Sequence, residues 1–506
     1  MLRRHGPKIV AFLGASVLVV VVAVIGKMWW DSRLPGTYSV MDYGHADYGG
    51  GPVSSPHVAH NGTGHEVSVA DLRGPQAGAP DARFALTAQA ATIRLATGRA
   101  IEALTFNGSS PGPELRVKQG NLVEVTLRNE NVDQGVTIHW HGVDVPNAED
   151  GVAGITQNAV APGQSYTYRF RAAQVGTFWY HSHQVSSSEV RRGLFGAFVI
   201  EPRGSAADTL DLAVIAHTFD GIPTLASRGE NAFRLIVPND TAGRQNVRAG
   251  TPVRLRLINS DSAEQRFTLA GAPFRVVAID GADLNGPTQI EDTALAIGAG
   301  GRMDVAFTMP AGPVRLSLEG TTAAIGFSPY RAPPRGAGTA GQVFDPLTYG
   351  APAPTPFDAS SPFDRRFELT ISRKPGFFNG DPGLQWAING EIYPNVPMFV
   401  VEKGDLVEIT IANDTKSIHP MHLHGHHVLI LSRDGVPASG SPWWADTLDL
   451  QPGERYVVAF RADNPGIWMD HCHNLRHAAD GLTMHVAYAG VTTPFLVGDA
   501  AANAPE

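Results

Sequence analysis

Short alternating segments dominate the chain beyond residue 80. Runs of a few residues rich in Val, Leu and Thr are interrupted by Gly, Pro and Asn, and almost no stretch has the periodicity of a long helix. Alternation of apolar and polar positions places successive side chains on opposite faces of a strand, so that one face is buried. Many such strands separated by turn residues predict an all-β protein built of antiparallel sandwiches.

One alternating unit occurs three times. Its two strongest copies span residues 116–129 and 400–413, and a weaker copy spans residues 246–259. A Pro-Gly turn follows each strong copy, at residues 162–163 and 452–453. A chain of 506 residues is also too long for a single core. We therefore predict three tandem β-sandwich domains, at residues 81–203, 204–335 and 363–498, with a Pro- and Gly-rich linker at residues 336–362.

An uncharged apolar run, Ile9–Gly26, lies near the N-terminus. The basic residues Arg3, Arg4 and Lys8 precede it, and the pair Trp29–Trp30 follows. This length is near the lower limit for a spanning helix, and tryptophans are typical of a membrane interface. The pattern predicts a membrane anchor over residues 1–30, with the N-terminus inside and the folded part extracytoplasmic. A cleaved signal peptide, which would leave a secreted protein, is the alternative.

The next segment, residues 31–80, is rich in Gly, Pro, Ser and His and has no sustained periodicity. This composition is typical of a flexible tether. Four histidines lie in it: His45, His57, His60 and His65. They could pass metal to the protein, although a solvated linker explains them as well.

The only cysteine, Cys472, lies among three histidines, His471, His473 and His477. A lone cysteine cannot form an internal disulfide, and most lone cysteines are packed as small apolar groups. Three flanking histidines favour a metal site over that inert role. The formal net charge of −9 and the lack of a long basic run disfavour nucleic acid as a partner.

Four His-X-His pairs occupy equivalent places in the first and third repeats, and the middle repeat has none. One such pair is weak evidence, because an exposed strand often has two imidazoles on one face. Four pairs at matching positions are strong evidence for metal sites at the seam of two domains. The pairs are His139-Trp-His141, His181-Ser-His183, His422-Leu-His424 and His471-Cys-His473.

Strand alternation sorts these residues into sites. Cys472 points away from His471 and His473, and His419 points away from His422 and His424. His419 therefore pairs with Cys472, and His477 can return from the following turn to complete the set. Two imidazoles and a thiolate with a weak axial group describe a blue-copper centre. Eight histidines remain, a number that suits three metal ions.

The combined motifs, HxHG, HxH, HxxHxH and HCHxxxH, resemble those of the multicopper oxidases, specifically the three-domain laccase-like group. The resemblance covers residues 81–490. It implies three cupredoxin-like Greek-key domains and four copper ions. The implied type 1 ligands are His419, Cys472 and His477, and the implied type 2 ligands are His139 and His422. The implied ligands of the type 3 pair are His141, His181, His183, His424, His471 and His473.

The family pattern also implies a mechanism. A reducing substrate gives electrons singly near His477, they pass through Cys472 to the cluster, and four of them reduce dioxygen to water. Asp150 matches the family's acid beside the cluster, although a turn carboxylate before Gly151 is an alternative. Many bacterial relatives have a glutamate after the last histidine of the fourth motif, whereas this chain has Ala478. The second acid is therefore in doubt. Leu482 occupies the position of the axial group, and leucine cannot coordinate a metal.

The sequence says less about the identity of the reducing substrate than about the reaction. Phenols and aromatic amines are one class, for which Trp443, Trp444 and Asp446 could line an entry pocket. Cu(I) is the alternative, but a methionine-rich segment, which thioether binding of Cu(I) would favour, is absent from the sequence. A silent scaffold is a weaker hypothesis, because the full set of ten histidines and one cysteine is present. A copper nitrite reductase would need fewer histidines and no trinuclear cluster. A copper store or carrier is the other alternative, which oxygen uptake with added copper would distinguish from an oxidase.

Overall fold

The computed structural model describes residues 6–52, 66–204, 209–228, 233–238, 243–330 and 340–506. Its N-terminal part begins with helix α1 (Gly6–Asp31), and two single turns of 3₁₀-helix lie at Val40–Asp42 and Val69–Asp71. Two short strands follow α1 in this part of the chain: β1 (His45–Asp47) and β2 (Val67–Ser68).

Two four-stranded sheets form the first sandwich. One has the order β4-β3-β6-β8 and the other β5-β10-β9-β7. A short helix, α2 (Ser186–Arg192), connects the last two strands. The strands are β3 (Ala82–Arg94), β4 (Ala100–Phe106), β5 (Leu115–Lys118), β6 (Leu122–Asn129), β7 (His139–His141), β8 (Ser165–Arg171), β9 (Gly176–His181) and β10 (Phe195–Glu201).

The second sandwich pairs a seven-stranded sheet, β13-β12-β11-β15-β20-β17-β18, with a six-stranded sheet, β14-β22-β21-β16-β19-β23. Its strands are β11 (Leu210–Phe219), β12 (Ile222–Arg228), β13 (Phe233–Ile236), β14 (Arg244–Asn246), β15 (Pro252–Asn259), β16 (Gln265–Ala270), β17 (Arg275–Ile279), β18 (Ala282–Asp283), β19 (Thr293–Ile297), β20 (Arg302–Thr308), β21 (Val314–Leu318), β22 (Ala324–Ser328) and β23 (Gln342–Val343).

The third sandwich contains the sheets β25-β24-β27-β33-β29-β30 and β1-β26-β35-β34-β28-β32, and β31 pairs with β29. Its strands are β24 (Arg365–Phe378), β25 (Asp381–Ile388), β26 (Pro397–Val401), β27 (Leu406–Asn413), β28 (His419–Leu423), β29 (Val428–Arg433), β30 (Val436–Pro437), β31 (Trp444–Ala445), β32 (Thr447–Leu450), β33 (Arg455–Arg461), β34 (Ile467–Cys472) and β35 (Thr483–Tyr488). Strand β36 (Val491–Thr492) pairs in parallel with β2 in a separate two-stranded sheet. Helix α3 (Leu475–Ala479) follows β34.

The repeated sequence unit is the same local structure in each sandwich. A short strand (β5, β14 or β26) leads through a turn into a longer one (β6, β15 or β27). The turn contains Gly120, Gly250 or Gly404, each with a positive φ, a conformation that side chains with a Cβ rarely adopt. The predicted all-β, multidomain fold is confirmed. The domain limits at residues 81–203, 204–335, 336–362 and 363–498 remain predictions.

The N-terminal part differs from its predicted structure. The apolar run belongs to α1, yet among the helices described none is both apolar enough and long enough to cross a membrane. The predicted anchor over residues 1–30 is therefore not supported, and residues 1–5 lie outside the described part. His57, His60 and His65 of the predicted tether also lie outside it.

Other residues of the predicted flexible tether are folded onto the domains. Strand β1 pairs in parallel with β26, so that His45 lies opposite Pro397. Arg365 donates a hydrogen bond of 2.9 Å to the carbonyl of Tyr48. These backbone partners fix the path of residues 45–48, which composition alone could not indicate. His45 therefore belongs to the edge of the third sandwich.

The predicted site lies at a seam between two separate hydrophobic cores. Most core side chains of the second and third sandwiches form one continuous apolar cluster, whereas the first sandwich has a separate core. Strand β7 of the first sandwich and strands β28 and β34 of the third each contribute histidines. Their rings meet where the first and third sandwiches contact each other.

Candidate metal centres at the seam of the first and third sandwiches

The predicted His2Cys set is assembled inside the third sandwich. The Cys472 Sγ lies 3.6 Å from the Nδ1 of His419 and 3.7 Å from the Nδ1 of His477. The other nitrogens of these rings contact Thr415 Oγ1 at 2.9 Å and Asn474 Nδ2 at 3.2 Å. Both Nδ1 atoms therefore face the sulfur, in the arrangement of a site that binds one ion between them.

The protonation of this set suits a metal. Burial lowers the pKa of His419 to about 3 and that of His477 to about 4, so both rings are neutral at pH 7 and have a free lone pair. Burial raises the pKa of the Cys472 thiol well above its usual value. A coordinated cation reverses that effect, because a ligating thiol is deprotonated. The chemistry of the donors is that of a soft or borderline metal.

Eight further histidines meet at the seam, and all eight are almost fully buried. Their candidate ligand atoms form three sets in which all atoms lie within 4.8 Å of one another. Each set combines residues from the first and third sandwiches, so neither domain could build the centre alone. The sets are His139, His141 and His422; His141, His181 and His473; and His183, His424 and His471.

Polar contacts at the backs of the rings, five of them hydrogen bonds and one a short contact with a carboxylate, orient six of the eight. In each of the six, Nδ1 has a close polar neighbour and Nε2 faces the cluster centre. The neighbours are Asp150 O for His139, Ser182 O for His181, Pro505 O for His183, Asp446 O for His422, and the side chains of Asp150 and Glu506 for His424 and His471.

The inward-facing nitrogens lack partners of their own. The Nε2 atoms of His181 and His183 are buried without a hydrogen bond, and so are both ring nitrogens of His473. Pairs of Nε2 atoms lie 3.3 Å apart, in His139 and His422, and 3.2 Å apart, in His424 and His471. Burial also lowers the pKa of His422 to about 4, that of His471 to about 3 and that of His424 well below its usual value, so these three rings are neutral at pH 7 and each has a lone pair for a metal. Buried orphan nitrogens are costly, and bound metal ions would satisfy them.

His141 is oriented in the opposite sense. Its Nε2 lies 2.9 Å from Thr447 Oγ1 and 3.2 Å from Asp446 Oδ1, whereas its Nδ1 has no partner. Gly300 of the second sandwich packs against this ring, and a Cβ there would lie 2.9 Å from the Cε1 of His141. The middle domain thus forms one wall of the cluster, although it contributes no histidine to the three sets.

Asp150 lies where the sequence placed it, beside the cluster. Its carboxylate accepts a hydrogen bond from the Nδ1 of His424 at 3.0 Å and lies 3.1 Å from the Nδ1 of His139. A turn carboxylate would point to solvent, but only 1% of this side chain is exposed. Asp150 therefore orients one ring of the proposed type 2 site and one of the proposed type 3 pair.

The three residues named for the predicted entry pocket have different surroundings in the structure, and the pocket itself remains a prediction. Asp446 is buried and ion-paired with Arg302, and it contacts cluster rings. Trp443 packs against Tyr456 at 6.1 Å between ring centroids, and Trp444 packs against Phe357 at 5.6 Å. Core packing therefore describes Trp444, whereas Trp443 also lines a cavity of about 330 Å³ that Arg302 of the second sandwich borders. A carboxylate already paired with a buried guanidinium is a poor acceptor for a substrate proton.

Other residues border the His2Cys set, and sequence patterns did not reveal them. The Trp386 ring lies 4.4 Å from His477 and 4.9 Å from His419, measured between centroids. The Arg373 guanidinium stacks on Trp386 at 3.9 Å. Both residues belong to the β24–β25 hairpin, where they lie directly opposite each other. Contacts made by a hairpin from another part of the chain leave no local motif.

The sandwich fold and the His2Cys set together define a copper protein of the cupredoxin class. Family models described as multicopper oxidase match residues 87–205, 215–315 and 362–490, one in each sandwich. The chain belongs to the multicopper oxidase family, and it is a copper-dependent oxidoreductase that uses dioxygen as its electron acceptor.

Relatives of known identity match most of the chain. Laccase-1 of Botryotinia fuckeliana is 28% identical over 465 residues, which cover 80% of this chain and 82% of that protein. Multicopper oxidase MmcO of Mycobacterium tuberculosis is 28% identical over 453 residues, covering 80% of this chain and 86% of the relative.

Solved structures show the same architecture. A multicopper oxidase from Pseudomonas thermotolerans superposes with a TM-score of 0.63 at 28% identity, covering 81% of this chain and 100% of its own. Fet3p, a multicopper oxidase that functions in iron import, superposes with a TM-score of 0.68 at 22% identity, covering 81% and 91%. The second likeness supports the fold alone.

Proposed function

We propose that this protein is a laccase-like oxidase that couples oxidation of phenols or aromatic amines to reduction of dioxygen to water. The observation that supports it most is the meeting of eight buried histidines at the seam, next in sequence to a separate His2Cys set. We assign His419, Cys472 and His477 to type 1 copper, and His139 and His422 to type 2 copper. The type 3 pair takes His141, His181, His183, His424, His471 and His473.

Copper held by these residues would supply one-electron transfer at the His2Cys set and dioxygen reduction at the cluster. The chain itself supplies the connection between them. Cys472 is covalently joined to His471 and His473, and on β34 its side chain points away from theirs. Two peptide links therefore join the proposed type 1 sulfur to the proposed type 3 ligands, and no additional relay residue is needed.

The residues around the cluster determine which nitrogen of each imidazole ring carries the proton. The Asp150 carboxylate and the carbonyl oxygens behind the rings accept from Nδ1–H, which holds that proton on the outer nitrogen and leaves the inner lone pair free. Dioxygen reduction consumes protons, and the Asp150 carboxylate lies beside the cluster, where it would take up a proton and then release it towards the cluster. A buried carboxyl group can relay protons in this way without admitting bulk water.

The surroundings of His477 favour an electron-rich aromatic reductant. This ring is partly exposed. Trp386 packs beside it, and the Arg373 guanidinium stacks on Trp386. A guanidinium repels an approaching metal cation and attracts a phenolate or a π face. The methionines of the third sandwich, Met398, Met421, Met469 and Met484, are all buried, so a surface of thioethers for Cu(I) is not offered there.

A metal-ion oxidase is the second candidate, with Cu(I) or Fe(II) as the reductant. Asp480 supports it, because this exposed carboxylate acts electrostatically on His477 and could attract a cation. The iron transport multicopper oxidase FET3 of Kluyveromyces lactis is 26% identical over 463 residues. Asp480 is paired with Arg476 at 3.0 Å, however, which offsets its charge.

The test compares kcat/KM for 2,6-dimethoxyphenol, Cu(I) and Fe(II) on the copper-loaded protein. Arg373→Gln should weaken use of the phenol and improve use of the cations, since it removes positive charge beside His477. Asp480→Asn is the matched control and should act in the opposite sense on cations. A large preference for a metal ion, lost in Asp480→Asn, would replace the aromatic proposal with the second candidate.

A copper store or carrier differs from both candidates in turnover. Oxygen uptake that continues for many cycles in the presence of a reductant would exclude a store. An extracytoplasmic location is a separate proposal, based on the basic residues before the apolar run Ile9–Gly26. Cell fractionation with activity measured in each fraction would test it.

A further inference from the structure

The segment that follows the third sandwich, residues 502–506, folds back onto the first sandwich at the cluster. The amide of Val185 donates to the carbonyl of Ala504 at 2.6 Å, and the Gln184 side chain bonds to both Ala502 and Ala504. Asn503 is 1% exposed and accepts from the amide of Ala159 at 2.8 Å. The segment is therefore built into the protein by several independent hydrogen bonds.

Two cluster histidines have their outer nitrogens against this segment. The Nδ1 of His183 lies 2.9 Å from the carbonyl oxygen of Pro505. The Nδ1 of His471 lies 2.8 Å from Oε1 of Glu506. Within the residues described, neither the His471 Nδ1 nor the Glu506 Oε1 makes a hydrogen bond of good geometry, to the other or to any further group. At 2.8 Å, a small rotation of either group aligns the two atoms as donor and acceptor, and both atoms are otherwise unsatisfied.

The Glu506 carboxylate is itself held in place. Its second oxygen, Oε2, accepts a hydrogen bond of 2.7 Å from the hydroxyl of Ser186, the first residue of α2. Only 10% of the Glu506 side chain is exposed. One oxygen is thus tied to the first sandwich and the other faces a ring of the third, so the carboxylate spans the seam.

The Glu506 carboxylate lies near a position at which the sequence lacks an expected second acid. Position 478, directly after His477, is an alanine and offers no acid. Ala478 and Glu506 line the same cavity of about 290 Å³, together with His485. Helix α3, which contains Ala478, has no acid at this position. The Glu506 carboxylate, which belongs to a segment distant in sequence, lies in the space beside that helix.

We propose that Glu506 is a positioning residue of the cluster, whose carboxylate orients His471 as that of Asp150 orients His424. The contact fixes the Nδ1–H tautomer of His471 and keeps its Nε2 directed at the cluster, as outer partners of metal-binding imidazoles do. The inference rests on the proposed function, because the cluster is the site that His471 serves. The Pro505 carbonyl does the same for His183.

The test uses the full chain and three substitutions. Glu506→Ala removes the carboxylate, Glu506→Gln keeps an amide oxygen that accepts from Nδ1–H, and Ser186→Ala releases the second oxygen. Glu130→Gln, at an exposed carboxylate paired with Arg128, is the control. Copper affinity is measured by competition with a Cu(I) chelator, with the blue band and the near-ultraviolet band of the type 3 pair followed separately.

Loss of an outer partner typically lowers metal affinity about 10- to 100-fold. We expect Glu506→Ala to lower cluster affinity by that amount and to weaken the near-ultraviolet band, while the blue band is unchanged. Glu506→Gln should keep most of the affinity, and Ser186→Ala should fall between the two. Equal cluster affinity in Glu506→Ala and the wild type would overturn the proposal.

A copper-free measurement separates this proposal from the proposed function. Nitrogen NMR of labelled histidine reports the tautomer of His471 without any metal present. We expect the Nδ1–H form in the wild type and in Glu506→Gln, and a mixture of both forms in Glu506→Ala. If the wild type lacked a copper cluster but gave this result, the proposed function would fail and the positioning contact would stand. An unchanged tautomer would refute the contact alone.

Discussion

Arg302 of the second sandwich and Asp446 of the third form a two-armed ion pair beside the cluster. Nη1 lies 2.6 Å from Oδ1 and Nη2 lies 2.5 Å from Oδ2. Burial by itself would raise the pKa of Asp446, but the adjacent guanidinium holds this pKa well below its usual range. The domain without cluster histidines therefore keeps a carboxylate ionised next to His141. Gly142 of the HxHG motif faces the same guanidinium, because a Cβ there would overlap it.

Removing this guanidinium should destabilise the protein. Arg302→Met leaves the buried carboxylates of Asp446 and Asp280 without their cation, a change that costs about 3–5 kcal/mol in buried pairs. Urea denaturation of the copper-free protein measures the effect. Arg366→Met is the control, since Arg366 is exposed and its pair with Glu408 contributes at most about 1 kcal/mol. Similar losses in the two variants would contradict the assigned role of Arg302.

Cys472→Ser should abolish the blue absorption and leave most cluster copper in place. The sulfur is the only thiol of the chain, and the eight cluster histidines are untouched by the change. Copper analysis and visible absorption of the loaded variant provide the measurement. A variant that remained blue would disprove the assignment of the type 1 site.

Asp150→Asn should slow dioxygen reduction more than it slows reduction of the blue site. The substitution removes an acid but no proposed ligand, and the contacts with His139 and His424 lie on the cluster side only. Stopped-flow spectroscopy separates the two steps, with blue-site reduction measured without oxygen. If both steps slow together, Asp150 has a structural role instead.

Leu482→Met should lower the reduction potential of the type 1 copper. Leu482 is fully buried, and its backbone carbonyl accepts a 3.1 Å hydrogen bond from the amide of Cys472, so residue 482 follows the site closely. A thioether donor favours Cu(II) relative to Cu(I) and lowers the potential. Redox titration of the blue band checks the shift. Met484→Leu is the comparison, and an effect there with none at position 482 would mean that the axial position is two residues further on.

The sequence was sufficient for the features that depend on local periodicity. Alternation on β34 separates Cys472 from His471 and His473, and alternation on β28 assigns His419 to the sulfur. The structure brings His419 and His477 to Cys472 and gathers the other eight histidines at the seam, whereas their division into type 2 and type 3 ligands remains a prediction. Each of these inferences needs only the two-residue period of a strand and a repeated motif.

Contacts between distant segments could not be predicted from strand periodicity or from repeated motifs. Asp446 follows two tryptophans, which suggested an aromatic pocket, but its partner Arg302 is 144 residues away. Glu506 lies in a short Ala-rich segment that has neither periodicity nor a motif. The proposed role of Glu506 depends on its burial next to His471. The burial of a single polar residue of this kind is determined only when the first and third sandwiches are assembled.

The parallel pairing of β1 with β26 has a practical consequence for shortened forms of this protein. In the sheet that contains Cys472, β1 is the outermost strand on one side. A protein that began at residue 81 would expose the N–H and C=O groups of β26 as an open edge, and such edges promote aggregation. A protein that began at residue 37 would keep this edge covered. We expect the shorter form to self-associate through β26 more strongly than the longer form, which size-exclusion chromatography can compare.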